Sequence, residues 1–252
     1  MMQGKKHIPN FLTSLNLVCG VLALMAIVQE QINAAAALIA AALVFDFLDG
    51  FVARLLGVHS PRGKELDSLA DVVPFGVGPG VVMALLIQHS LGETFPPEIG
   101  MSMFSGNGWF FLAGLLIAVF SALRLAKFNL DERQSDAFYG LATPANTLLV
   151  LSFWLITDKQ PDSWLAQNLN HPGVWIAASL LLSWLLIAEI RLIAFKFKSY
   201  ALRDNPYRYL LIFSGILLLA MFQYMAIPFL ILLYFLLSTL QNRSIPPKPP
   251  HP

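Results

Sequence analysis

Eight apolar runs, most of them long enough to cross a hydrocarbon layer, are what most constrains this chain. They cover roughly 11–28, 33–57, 63–89, 107–129, 141–157, 172–197, 208–224 and 227–240. About 20 helical residues span a bilayer core of roughly 30 Å, and backbone groups with no water nearby must bond within their own segment. The expected fold class is therefore all-α, a polytopic membrane helical bundle. Composition agrees: 57% of residues are hydrophobic, only 12% are charged, and mean hydropathy is +0.66. Nothing in that balance calls for a nucleic-acid partner; the lipid bilayer is the expected surroundings. The last two runs are short and separated only by Met225, Ala226 and Ile227 ahead of Pro228, so they predict a tight hairpin or, in a looser reading, one broken helix. The implied division is 1–197 for a transmembrane core, 198–240 for the hairpin and 241–252 for a proline-rich tail ending in PPKPPHP.

The basic residues orient the chain. With the amino terminus in the cytoplasm, every Lys and Arg except Lys159 falls on the inner side, from Lys5 and Lys6 to Arg243 and Lys248. The outer loops then carry Glu30, Glu93, Glu98, Asp158 and Asp162, as the positive-inside rule requires. The basic start MMQGKKHIPN precedes an apolar run with no small-residue cleavage signal, so the first span is expected to remain. Cys19 is the sole cysteine, which excludes a disulfide framework and predicts a buried thiol.

Against this apolar background one stretch stands apart. Residues 46–71 read DFLDGFVARLLGVHSPRGKELDSLAD, giving the spacing D-x2-D-G-x2-A-R-x8-G-x3-D-x3-D between two spans. An unpaired carboxylate in hydrocarbon costs several kcal/mol, so four together point to a bound cation. Asp46 and Asp49 lie one turn apart on the second helix, on a face shared with Gly50 and Ala53. Asp67 and Asp71 lie one turn apart on the third. The short loop VHSPR makes these helices antiparallel neighbours, so all four acids are expected to meet in the inner leaflet. Such hard oxygen donors suit Mg2+ or Mn2+, completed by phosphate oxygens of a diphosphate. The histidines, His7, His59, His89, His171 and His251, are scattered over loops and ends and supply neither a zinc site nor a triad. Gly50 and Ala53 remove bulk beside Asp49, Arg54 sits one turn nearer water, and Gly63 is expected to offer phosphate a bare backbone with free N–H groups. Pro74 has no N–H for the carbonyl of Ala70, predicting a kinked third helix with that carbonyl freed.

Eight specified residues at about 1 in 15 each match by chance on the order of 10⁻⁹ per starting position. Asp46, Asp49, Gly50, Ala53, Arg54, Gly63, Asp67 and Asp71 together match the signature of the CDP-alcohol phosphatidyltransferases, which this chain resembles. That resemblance implies a six-helix core over about 8–197, with the last two transmembrane helices outside it. It implies two divalent cations, Mg2+ or Mn2+, bound by Asp46, Asp49, Asp67 and Asp71, the last also being the general base. It implies a CDP site formed by Asp49, Gly50, Ala53, Arg54, Gly63 and Asp67, and a homodimer.

The flanking segments DSLADVVPFGVGPG, RLAKFN and YGLATPAN resemble the phosphatidylserine synthases of that family, although Pro74, Gly80 and Ala142 depart from the pattern. The substrates so implied are CDP-diacylglycerol and L-serine. Glycerol 3-phosphate or inositol phosphate is the alternative acceptor, and a membrane prenyltransferase or a cation-coupled transporter is the rival class. Arg124 and Lys127 are one turn apart at the inner end of the fourth helix, placed to hold a serine carboxylate or lipid phosphate, or else to snorkel. Thr13 and Asn16 form a polar pair in the first helix, above Gly20, placed either to support the nucleotide pocket or to hydrogen-bond between helices. Glu189 and Arg191 read as a local charge cluster in the sixth, and Trp109, Trp154, Trp164 and Trp175 as an interfacial belt.

Overall fold

The computed structural model describes residues 7–58, 60–97, 100, 106–107, 109–130, 138–193 and 201–244. Lys5, Lys6, His59, Glu98, Arg133, Lys196, Lys198, Lys248, His251 and the tail beyond 244 lie outside the described residues. The chain is helical almost throughout: α1 (His7–Val28), α2 (Ile32–Leu55), α3 (Pro61–Val72), α4 (Gly78–Ser90), α5 (Leu112–Leu130), α6 (Thr143–Lys159), α7 (Trp164–Leu169), α8 (Pro172–Ile187), α9 (Pro206–Phe222) and α10 (Ala226–Ser244). Five helical stretches among the described residues are long and apolar enough to cross a membrane: His7–Val28, Ile32–Leu55, Pro61–Ser90, Leu112–Leu130 and Pro206–Arg243. The protein is thus an integral multi-pass membrane protein.

Local chemistry fixes the hairpin that carries the aspartates. Gly57, at φ +63°, ends α2 by donating to the carbonyl of Arg54, while Val58 donates to Ala53 at 2.9 Å. This paired closure needs a left-handed residue, which glycine supplies without strain. Ser60 then caps α3, its Oγ accepting from the Gly63 N–H at 3.0 Å, and Pro61 takes the first helical position. The Gly63 amide is therefore occupied, which corrects the expectation of a free N–H there.

α3 and α4 are one span interrupted by a π turn at Val73–Val77. Pro74 cannot donate, and the helix accommodates it by widening for one turn. The Ala70 carbonyl is not freed as expected, because it accepts from the Val73 N–H instead. The Phe75 carbonyl is reached by Thr147 Oγ1 of α6 at 3.2 Å, one way in which irregular backbone at membrane depth is satisfied. This span is the centre of the bundle, its apolar residues mostly buried, whereas those of the α9–α10 hairpin are almost all on the outside. Small residues bring its neighbours close. A Cβ on Gly114 of α5 would lie 2.5 Å from the Ala84 nitrogen, and one on Gly20 of α1 would lie 2.7 Å from Pro74 Cδ.

The sixth predicted span is shorter than its apolar run. α8 stops at Ile187, and Arg191–Leu192 form strand β2, antiparallel to β1 (Phe138–Tyr139), with Tyr139 opposite Arg191. The chain leaves the helix because non-local partners satisfy its backbone: Gly140 N–H donates to Ile190 at 3.0 Å and Leu141 N–H to Leu185 at 2.9 Å. Glu189 and Arg191 therefore do not sit on a helix. Trp154 and Trp175 are core residues at 5% and 1% exposure, not belt residues, whereas Trp109 and Trp164 are exposed. Cys19 is free and only half-buried. The last two helices form the expected hairpin, turning through Gln223–Met225.

Candidate functional site

The capped hairpin of α2 and α3 gathers its acids. One carboxylate oxygen from each of Asp46, Asp49 and Asp67 lies within 4.8 Å of the other two. Asp49 is buried, and Asp46 and Asp67 are half-buried. Ionised carboxylates this close repel one another, and a cation among them removes that repulsion. Asp67 Oδ1 is buried and accepts no hydrogen bond. An orphaned buried oxygen beside two further carboxylates is the donor set a hard divalent cation takes, so the residues present fit Mg2+ or Mn2+.

Asp71 stands outside that triplet but within electrostatic reach of all three acids. It is buried, and α1 holds it: Asn16 Nδ2 donates to Asp71 Oδ1 at 2.8 Å. Thr13 Oγ1, one turn earlier, donates to Asp49 Oδ2 at 2.6 Å. The polar pair of the first helix thus makes helix-to-helix hydrogen bonds whose acceptors are the site carboxylates themselves. Each bond restrains one carboxylate and leaves its second oxygen for other ligands.

Beside the acids opens a cavity of about 570 Å3, lined by residues that include Asn10, Thr13, Asp49, Gly50, Ala53, Ser60, Gly63, Lys64 and Asp67. A Cβ on Gly50 would meet nothing within 4 Å, so this glycine faces open space. A Cβ on Gly63 would lie 3.0 Å from Ser60 Oγ and 3.5 Å from Asn10 Oδ1, which closes that wall. Arg54 is exposed and does not line the cavity. Lys64 does, with Nζ donating to the Asn129 carbonyl at 2.8 Å. Sequence reasoning assigned no site role to Asn10, Ser60 or Lys64. The signal for two of them was present in the motif, since Ser60 and Lys64 flank Gly63 inside it.

The two basic residues of α5 part company. Lys127 Nζ pairs with Glu189 Oε1 at 3.0 Å on the exposed side of the bundle. Arg124 is 7% exposed, has a buried Nε without a partner, and lies 5.8 Å over the Phe128 ring. Asp71 lies within electrostatic reach of it. Of the pair, Arg124 is the buried one. Among the described residues no histidine joins the aspartate cluster: His89 Nε2 lies 3.3 Å from Glu30, and His171 caps α8.

The family model for CDP-alcohol phosphatidyltransferase matches residues 6–241. A CDP-diacylglycerol–serine O-phosphatidyltransferase of Helicobacter pylori is 32% identical over 190 residues, which are 75% of this chain and 72% of that protein. The protein of the same description from Bacillus subtilis is 34% identical over 149 residues, 58% of this chain and 76% of that one. An archaetidylserine synthase of Methanothermobacter thermautotrophicus is 34% identical over 163 residues, 62% of this chain and 63% of that one.

Proposed function

We propose, since the chain belongs to the CDP-alcohol phosphatidyltransferase family, that it transfers the phosphatidyl group of CDP-diacylglycerol to L-serine, giving phosphatidylserine and CMP. The observation that carries this reading is the convergence of Asp46, Asp49 and Asp67 around an orphaned carboxylate oxygen, at the wall of a cavity of nucleotide size. Serine as acceptor draws its support from the relatives named above. The family also sets aside the prenyltransferase and transporter readings.

In this reading Asp46, Asp49, Asp67 and Asp71 hold two divalent cations, Mg2+ or Mn2+. When bound, these supply charge neutralisation at the diphosphate. The chain's own residues do the rest. Gly50 and Ala53 leave room for the CDP moiety against the helix backbone, Gly63 forms part of the cavity wall, and the cavity-lining Lys64 and the exposed side chain of Arg54 offer cationic contacts to its phosphates. Asp71 accepts the proton of the serine hydroxyl, with Asn16 holding one of its oxygens in place. A bond forms between the serine oxygen and the phosphorus bearing the diacylglyceryl group, and the bond from that phosphorus to the CMP oxygen breaks. Arg124, buried and with an unpartnered Nε, receives the serine carboxylate. Lys127, tied to Glu189, contributes charge at the rim.

The spans α1, α2, α3–α4, α5, α6 and α8 form the core in this account, and α9–α10 pack outside it. The amino terminus and the site face the cytoplasm, and the protein works as a homodimer in the bilayer. Purified protein in vesicles with CDP-diacylglycerol and Mn2+, offered labelled serine or labelled glycerol 3-phosphate separately, tests the acceptor. Label from serine is expected in lipid, in step with CMP release. Label from glycerol 3-phosphate alone overturns the serine assignment.

A further inference from the structure

The C-terminal end of α5 is fastened to α3 at two points one turn apart. Lys64 and Ser68 are neighbours on one face of α3, and Asn129, next to last in α5, reaches both. Its carbonyl accepts from Lys64 Nζ at 2.8 Å, and its Nδ2 donates to Ser68 Oγ at 2.8 Å. That carbonyl belongs to the last turn of α5, where no amide of the helix can reach it, and the C-terminus of a helix favours a cation. Lys64 is at the same time part of the cavity wall, with Asp49 and Asp67. Among the described residues lining that cavity it alone carries a cationic side chain. One ammonium thus joins the end of α5 to the cavity beside the acids.

An exposed lysine samples many rotamers, and any ion contact it makes is weakened by the entropy of holding its four-carbon stem in one geometry. A hydrogen bond that already fixes the ammonium removes part of that loss from the next contact. The ammonium has three donors, so the bond to Asn129 leaves two for an anion. We propose that Asn129 is a positioning residue for the nucleotide: its carbonyl holds the Lys64 ammonium at the cavity, and its bond to Ser68 keeps that carbonyl in place. The inference rests on the reading above in which Lys64 contacts the phosphates of the CDP moiety. Asn129 does not line the cavity and acts through Lys64.

Equilibrium binding of labelled CDP to the full-length protein in vesicles, with Mn2+ present, tests this. Lys64→Gln weakens CDP binding about tenfold, the size of one charge-assisted hydrogen bond. Asn129→Ala and Ser68→Ala each weaken it about threefold, the part due to holding one side chain still. Ser68→Thr, which keeps a hydroxyl, binds CDP as the unaltered protein does. The double variant Lys64→Gln, Asn129→Ala binds no more weakly than Lys64→Gln alone, because with the ammonium gone there is nothing left to position. Mn2+ binding without nucleotide is unchanged in Asn129→Ala and Ser68→Ala. In turnover, KM for CDP-diacylglycerol rises in Asn129→Ala while kcat and KM for serine stay within about twofold, as for lost uniform binding. Unchanged CDP binding in Asn129→Ala and Ser68→Ala, losses that multiply in the double variant, or Mn2+ binding that falls in step as in general loosening, overturns the proposal. If Lys64→Gln binds CDP as tightly as the unaltered protein, the phosphate contact of the reading above fails first, and the proposal falls with it.

Discussion

Asp71 and Asp49 differ from the other two acids in being tethered by α1, and that difference sets how variants should behave. Asp71→Asn keeps the size and loses the proton acceptor, so CMP release should fall by about 10²–10⁴-fold, the usual worth of a positioned base. Asn16→Ala should give a smaller loss, since it frees Asp71 without removing it. Gly50→Ala separates site from scaffold: its Cβ meets nothing within 4 Å, so thermal stability should hold or rise slightly, while KM for CDP-diacylglycerol rises as the methyl enters the cavity. Stability loss without a KM change would place Gly50 in packing instead. The acids were legible in the sequence because helical spacing alone puts 46 with 49 and 67 with 71 on one face. The parting of Arg124 from Lys127 was not, because Lys127 finds Glu189 across 62 positions of chain.

At the scale of elements, the hairpin joining α2 to α3 is written locally and the centre of the bundle is written in its glycines. Ser60→Ala removes the cap on α3 and should cost about 1 kcal/mol, read as a lowered unfolding midpoint. Gly114→Ala forces a Cβ to within 2.5 Å of the Ala84 backbone and should cost about 1–3 kcal/mol by overpacking; an unchanged midpoint would mean α5 can slide away from α4. The spans were readable because apolar runs of fixed length report on the bilayer directly. The early end of α8 was not, since its apolar run continues without a break and only distant partners, β1 and the side chains of α10, explain the switch to extended backbone. Pro74 announced an irregularity, yet its form, a π turn with the Ala70 carbonyl retaken by Val73, depends on packing against α1 and α6.

For the whole molecule, the proposed direction through the bilayer, drawn from the charge pattern, can be checked with single cysteines in a Cys19→Ala background. A cysteine at Arg62 should react with an impermeant maleimide only after the cells are opened, and one at Gln160 should react in intact cells; the reverse pattern would invert the orientation and put the site outside. Both tests follow from a bundle whose most buried span presents its acids toward one side, with α1 bracing them. The claim beneath all of this is that the aspartates of α2 and α3 act as one cation site. Mn2+ binding to the protein in vesicles, followed by electron paramagnetic resonance with CDP-diacylglycerol present, tests it most directly. Two mutually coupled Mn2+ per chain in the unaltered protein, lost together with CMP release in Asp46→Asn and reversed by chelator, is the predicted result. Undiminished Mn2+ binding and normal turnover in Asp46→Asn would contradict it.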